Sequence, residues 1–172
     1  MRTVGAVPYD ASWPRRFRLA ETELRGALGP NAVAVHHIGS TAVPGLAAKP
    51  VIDVLPVVRD LARVDEGALS RLGYRARGEN GLSGRRYFVR EAGGRRTHHV
   101  HVYEEGHPAI ARHLAVRDYL RAHPNEAARY AALKRRLAEE HGGDPVLYAE
   151  GKDSFVAEVE RRALAWRTDG AV

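Results

Sequence analysis

The chain has 172 residues, of which 28% are charged, with a formal net charge of +6 and a sequence pI near 10. That length suits one domain built on a single hydrophobic core, and the absence of cysteine excludes disulfides and thiolate metal sites. No block of five or more like charges occurs, which argues against a nucleic-acid tail, and against 24 arginines the only three lysines, Lys49, Lys134 and Lys152, stand out.

The opening stretch, MRTVGAVPYDASWPRRF, holds no apolar run of signal-peptide length. No window approaches the ~20 apolar residues of a membrane span, so a soluble, cytoplasmic protein without a membrane partner is expected. Tyr9 to Pro14 reads as a turn into a helix capped by Asp10 or Ser12, with an apolar stripe of Phe17, Leu19, Ala20, Leu24 and Leu28. Gly29-Pro30-Asn31 ends it. Val33–Ile38 reads as a strand, and Val51–Val58, a more continuous apolar run, as a buried one. Asp60 is positioned to cap a helix over 61–72, stopped by Gly73.

Strands are expected over 74–77 and 85–91, separated by the glycine-rich 78–84 loop. Gly93-Gly94 predicts a hairpin turn, and the alternating 97–103 segment its return strand. Three helices follow, over about 108–122, 125–141 and 145–167. They are divided by Pro124 and by Gly142-Gly143-Asp144-Pro145, where Asp144 caps and Pro145 takes the first helical position. Trp13, Phe17, Leu114, Leu120, Leu133, Leu137, Phe155 and Trp166 are the expected core residues. The whole is an α+β pattern, one domain over 1–172, with a mixed sheet to about 105 and a helical part over about 106–168.

The least ordinary stretch is HIGSTAVPGLAAKPVIDV, from His37 to Val54. A strand that ends in Gly39-Ser40 before a short helical segment presents unpartnered backbone N–H groups, a geometry that suits an anion. Gly39 permits close approach of a phosphate, Ser40 and Thr41 add hydroxyls, and Lys49 adds a point charge. Asp53, alone in an apolar strand, is costly to bury unpaired. Beside a phosphate it calls for an intervening cation, for which a divalent metal would serve.

This stretch resembles the signature of the GrpB family. YDASWPRRF near the N-terminus and the long segment from THHVHVYEEGHPAIARHL to VLYAEGKDSFV resemble that family too, so the likeness covers about residues 8–167. The resemblance implies a nucleotidyltransferase-like fold, a mixed β-sheet flanked by helices. It also implies a link to dephospho-CoA kinase, to which such domains occur fused. The wider nucleotidyltransferase pattern places Asp-x-Asp after the Gly-Ser turn and a third acid on a later strand, together holding two metals. Here Asp53 matches the first acid, but Leu55 stands at the second, and the later strand offers His99 and His101, which share a face by the two-residue period. One carboxylate with imidazoles suits Mn²⁺ or Zn²⁺ better than Mg²⁺.

Seven of the nine histidines, at 36, 37, 98, 99, 101, 107 and 113, lie at or near these strands and the next helix. Residues 113, 117 and 121 share a helix face, on which Arg117 is a candidate for the polyphosphate of a nucleotide or coenzyme A. Lys134 and Lys152 each follow a tyrosine by one turn and are further phosphate candidates. Two functions stay open. One is a divergent metal-dependent nucleotidyltransferase with Asp53 catalytic and an unknown acceptor. The other is a non-catalytic accessory module that binds a nucleotide or coenzyme A. A nucleic-acid partner rests on pI alone.

Overall fold

The structure, a computed structural model, describes residues 6–141 and 143–169. Helix α1, Trp13–Leu28, opens on a turn closed by a side chain: Asp10 Oδ1 accepts from the Ser12 N–H at 2.8 Å, and Pro14 sits in the first turn. Its buried stripe is Trp13, Ala20, Leu24 and Leu28. Leu19, expected in that stripe, is 60% exposed, because the helical period carries position 19 to the solvent side. Strands β1, Ala32–Ile38, and β2, Ile52–Val58, follow, joined by the segment that holds Gly39 and Ser40.

The helix expected over 61–72 is two pieces. Asp60 accepts from the Ala62 N–H and caps only a single 3-10 turn, Leu61–Arg63. Val64 and Asp65 are extended, and Asp65 caps helix α2, Glu66–Arg71, by accepting from the Ala68 N–H. Two closely spaced caps compete, and the second restarts the helix. Strand β3 is short, Arg75–Ala76; β4, Arg85–Ala92, and β5, Arg95–Glu104, form the expected hairpin. Helices α3, Pro108–Ala122, α4, Pro124–His141, and α5, Pro145–Asp169, complete the chain. Asp144 Oδ1 caps α5 through the N–H groups of Val146 and Leu147, at 3.0 and 3.2 Å. Gly142, expected in the break before it, lies outside the described residues.

The sheet order is β1-β2-β5-β4-β3, with β2 and β5 parallel and every other pair antiparallel. Alternation along β2 and β5 divides the core. Ile52, Val54, Val58, Val100 and Val102 face α1 and α2, with Trp13, Leu24, Leu69 and Phe88. Leu55, Val57 and Tyr103 face the other way, toward Ala109 and Leu114 of α3. A third cluster joins α3, α4 and α5 to Val43 and Leu46 of the β1–β2 connection. The helical third is thereby packed on the loop that carries Ser40. Two arginines of α3 reinforce this: Arg117 Nη1 donates to the His37 carbonyl at 3.3 Å, and Arg121 Nε to the Ala42 carbonyl at 2.8 Å.

Candidate functional site

Gly39 ends β1 with φ +76°, a conformation that L side chains rarely adopt. A Cβ there would also stand 2.7 Å from Asp53 Oδ2, so the turn is glycine for two independent reasons. The residues after it, Ser40–Ala42, form one 3-10 turn. The short helical segment foreseen as an anion site is thus too brief to sum backbone dipoles, and positive charge must come from side chains. Thr41 points inward, where its hydroxyl is hydrogen-bonded to His37 Nε2 at 2.9 Å.

Strand register builds the acid's surroundings. Asp53 lies opposite Ile38 on β1 and beside His99 on β5, and the two-residue period adds His101 on the same face. Asp53 Oδ1 is 3.1 Å from His101 Nε2 and 3.4 Å from His99 Nδ1. Burial opposes charge on Asp53, but the hydrogen bonds from His101 and His99 outweigh it and hold its carboxyl well below the usual carboxylate range. Asp53 is therefore ionised at neutral pH.

The tautomer of His101 follows from Arg85. This arginine, 6% exposed, donates from Nε to the Glu79 carbonyl, from Nη2 to the Asn80 carbonyl, and from Nη1 to His101 Nδ1 at 3.3 Å. A guanidinium only donates. Nδ1 must then accept, which leaves the proton on Nε2, directed at Asp53. His99 Nδ1 likewise faces Asp53, while its other nitrogen, Nε2, is buried without a hydrogen-bond partner.

Asp53, His99 and His101 thus come together, but not as a fit for a resident divalent metal. The His101 nitrogen nearest the carboxylate carries a proton, and its lone pair is spent on Arg85. The His99 nitrogen left over diverges from Asp53. Among the described residues, no group of three or more His, Cys, Asp or Glu side chains is arranged to hold a metal ion.

What does surround Asp53 is cationic. A cavity of about 490 Å³ is lined by Ser40, Thr41, Lys49, Asp53, His99, Lys134, Arg135, Glu139, Tyr148 and Lys152, so all three lysines of the chain meet at one place. Lys134, 8% exposed, donates from Nζ to Ser40 Oγ at 3.1 Å and lies 4.6 Å over the Tyr130 ring. Its burial, with repulsion from Lys152 and Lys49, pushes its ammonium down to about 8. Burial and Lys152 lower Lys49 as well, and Lys49 lies 5.8 Å from the Tyr148 ring centre. Three mutually repelling ammonium groups thus line one cavity, one of them bonded to the half-buried Ser40, an arrangement whose repulsion a polyanion would relieve.

Helix packing produces the convergence. At Gly151, in the turn beside Lys152, a Cβ would stand 2.6 Å from Leu137 Cδ2, one turn from Lys134. The close approach of α4 and α5 at this point carries Lys134 and Lys152 to the same cavity. Arg117, by contrast, is drawn off: its Nε pairs with Asp118 Oδ1 at 2.8 Å and its Nη1 with the His37 carbonyl, and it borders a second cavity. Sequence reasoning passed over Arg85 and Arg135. Nothing local marks Arg85 among 24 arginines. Tyr148, by its spacing from Lys152, drew notice only as that lysine's partner.

Residues 3–162 match the family described as GrpB protein, and the chain belongs to that family. It is 46% identical to the UPF0157 protein YqkA of Bacillus subtilis over 96% of this chain, but spans 49% of YqkA, about half its length. It is 32% identical to a dephospho-CoA kinase of Mycolicibacterium paratuberculosis, over 95% of this chain and 46% of the kinase. The crystal structure of GrpB from Enterococcus faecalis superposes with a TM-score of 0.88 at 41% identity, covering 94% of this chain and 98% of that one. The Cid1 poly(U) polymerase superposes with a TM-score of 0.54 at 16% identity, covering 77% of this chain and 44% of the polymerase. That likeness is one of fold: the chain has the nucleotidyltransferase-like architecture. No helix among the described residues is long and apolar enough to cross a membrane.

Proposed function

We propose that this GrpB-family chain binds a small phosphate-bearing ligand, a nucleotide or a coenzyme A-type molecule, in the three-lysine cavity, and that binding needs no resident metal. The observation that carries this reading is the convergence of Lys49, Lys134 and Lys152 on one cavity, with Lys134 bonded to Ser40, in a chain that otherwise uses arginine. Phosphate oxygens would accept from the Ser40 hydroxyl and the three ammonium groups, relieving their mutual repulsion. Ionised Asp53, hydrogen-bonded to His101, would hold the cavity's negative wall and direct the anion toward the lysines. The likeness to dephospho-CoA kinases supports coenzyme A-type ligands among the candidates and a working link to that kinase activity. Leu55, wholly buried at the position of a second acid, supports an accessory module over a two-metal transferase.

Calorimetric titration with tripolyphosphate, nucleoside triphosphates and coenzyme A, in chelator and with Mg²⁺, Mn²⁺ or Zn²⁺, tests the reading. Binding in chelator that is lost in a Lys134→Met, Lys152→Met double variant is the expected result. Binding that appears only with a divalent ion would overturn it.

A second reading keeps the chemistry. Asp53 is ionised on a nucleotidyltransferase-like sheet, where it would serve as the catalytic carboxylate of nucleotidyl transfer to an acceptor. Consumption of a nucleoside triphosphate by the protein, abolished in Asp53→Asn, would favour it.

A further inference from the structure

A second cavity, of about 300 Å³, adjoins the first. The two share Ser40 and Lys152 in their walls, so Ser40 stands at their junction. Their chemistry differs. The floor of the second is apolar, made by Val116 and Leu120 of α3 and Phe155, Val156 and Val159 of α5. Tyr130 closes one side, its ring stacked on Phe155 at 5.5 Å between centroids and 12° between planes.

The charges at its rim are largely spent. Arg112 is paired with Glu160 at 3.5 Å, and Arg117 with Asp118 at 2.8 Å. His113 is pushed down to about 4 by burial and by His101, so it is neutral. Asp153 adds an acceptor beside Lys152. A phosphate entering here would leave Lys152 at the shared edge, pass the Asp153 carboxylate and meet no uncommitted arginine, whereas an uncharged ring would meet aromatic and aliphatic carbon with acceptors at its edge.

We propose that this second cavity is the subsite for an uncharged planar group, the base of a nucleotide, whose phosphates lie across Ser40 in the lysine cavity. The inference rests on the phosphate-binding reading and narrows it to a ligand with a polyphosphate at one end and a neutral ring at the other. Sharing of Ser40 and Lys152 by both walls is what makes one ligand, rather than two, the occupant. The apolar floor supplies attraction for the ring that tripolyphosphate alone cannot use.

The test compares tripolyphosphate with ATP, GTP, CTP and UTP by titration calorimetry in chelator, on the intact chain and on Val156→Trp, which fills the subsite from α5. Val116→Trp, which fills it from α3, is the second variant should the first disturb folding, and unchanged tripolyphosphate affinity certifies each. At least one nucleotide is expected to bind ten or more times tighter than tripolyphosphate, and the tryptophan variants should bring it down to the tripolyphosphate level. Equal affinity for tripolyphosphate and all four nucleotides would overturn the subsite and leave the phosphate site standing. A nucleotide advantage that survives both certified variants would also overturn it, by placing the ring elsewhere. If neither tripolyphosphate nor any nucleotide binds, the phosphate reading itself fails, and this inference falls with it.

Discussion

Lys134 concentrates the site's electrostatics in one side chain. Its ammonium, pushed down to about 8 from an ordinary 10.5, is still charged at neutral pH but releases its proton earlier in the folded state than in the unfolded one. Between about 8 and 10.5 the unfolded chain therefore binds more protons, so this group's contribution to stability rises with pH across that window. Anion affinity should move the opposite way. Tripolyphosphate binding is expected to weaken as pH rises from 7 through 9, and Lys134→Met should flatten that profile while lowering affinity at pH 7; titration calorimetry across the range reads both. Gly39 is the second residue with a sharp expectation. Its φ of +76° and the 2.7 Å approach of a Cβ to Asp53 Oδ2 make Gly39→Ala destabilising by about 1–3 kcal/mol, measured by denaturant unfolding. Both residues were legible as candidates in the sequence, but the reason for each was not. Gly39 is required by Asp53 as well as by the turn, and Lys134 matters because it bonds Ser40, 94 residues away. Arg85 was not legible at all, since its role, setting the His101 tautomer, exists only once β4 and β5 pair.

At the level of elements, most of the chain follows local rules. Caps, prolines and glycines mark the helix ends, and alternation over 97–103 places His99 and His101 on one face. Local rules fail where two signals compete, as at Asp60 and Asp65. They also say nothing of which helices touch. The α4–α5 approach is a case: Gly151 inside a helix costs about 1 kcal/mol in propensity relative to alanine, yet Leu137 Cδ2 stands 2.6 Å from where its Cβ would be, too close for both. Gly151→Ala alone is expected to destabilise the protein or to part the helices and weaken phosphate binding. On a Leu137→Ala background, itself costing about 2–5 kcal/mol, the clash is gone and the same change should stabilise. A double-mutant cycle by thermal or denaturant unfolding measures that reversal of sign; additive effects would refute the contact as the reason for the glycine.

For the molecule as a whole, the buried histidines set the acid limit. His37, His98 and His113 are each pushed down to about 4, first by burial, aided by Arg121, Arg90 and His101 respectively. Their ordinary value is 6.5, so between about 6.5 and 4 the unfolded chain takes up protons that the folded chain refuses. Stability is therefore expected to fall as pH drops through that window and to level off, for these groups, below it. The melting temperature measured from pH 7.5 to 4.5 should show this decline. His37 joins the β1 end to α1 by stacking on Phe17 at 4.8 Å, so its protonation strikes the strand that delivers Ser40. Phosphate binding should fail before global unfolding as pH is lowered.

By itself the sequence determined the family, the α+β class, the order of the elements and a short roster of chemical residues, because each rests on local periodicity, capping or a contiguous motif. Tertiary structure alone decided what those residues can do. Strand register set Asp53 between His99 and His101, Arg85 then consumed the lone pair that a metal would need, and the packing of α4 against α5 brought Lys134 and Lys152 to the cavity that Lys49 and Ser40 line. Charge becomes a site only when side chains distant in sequence are held within a few ångströms, and that distance is a property of the packed chain.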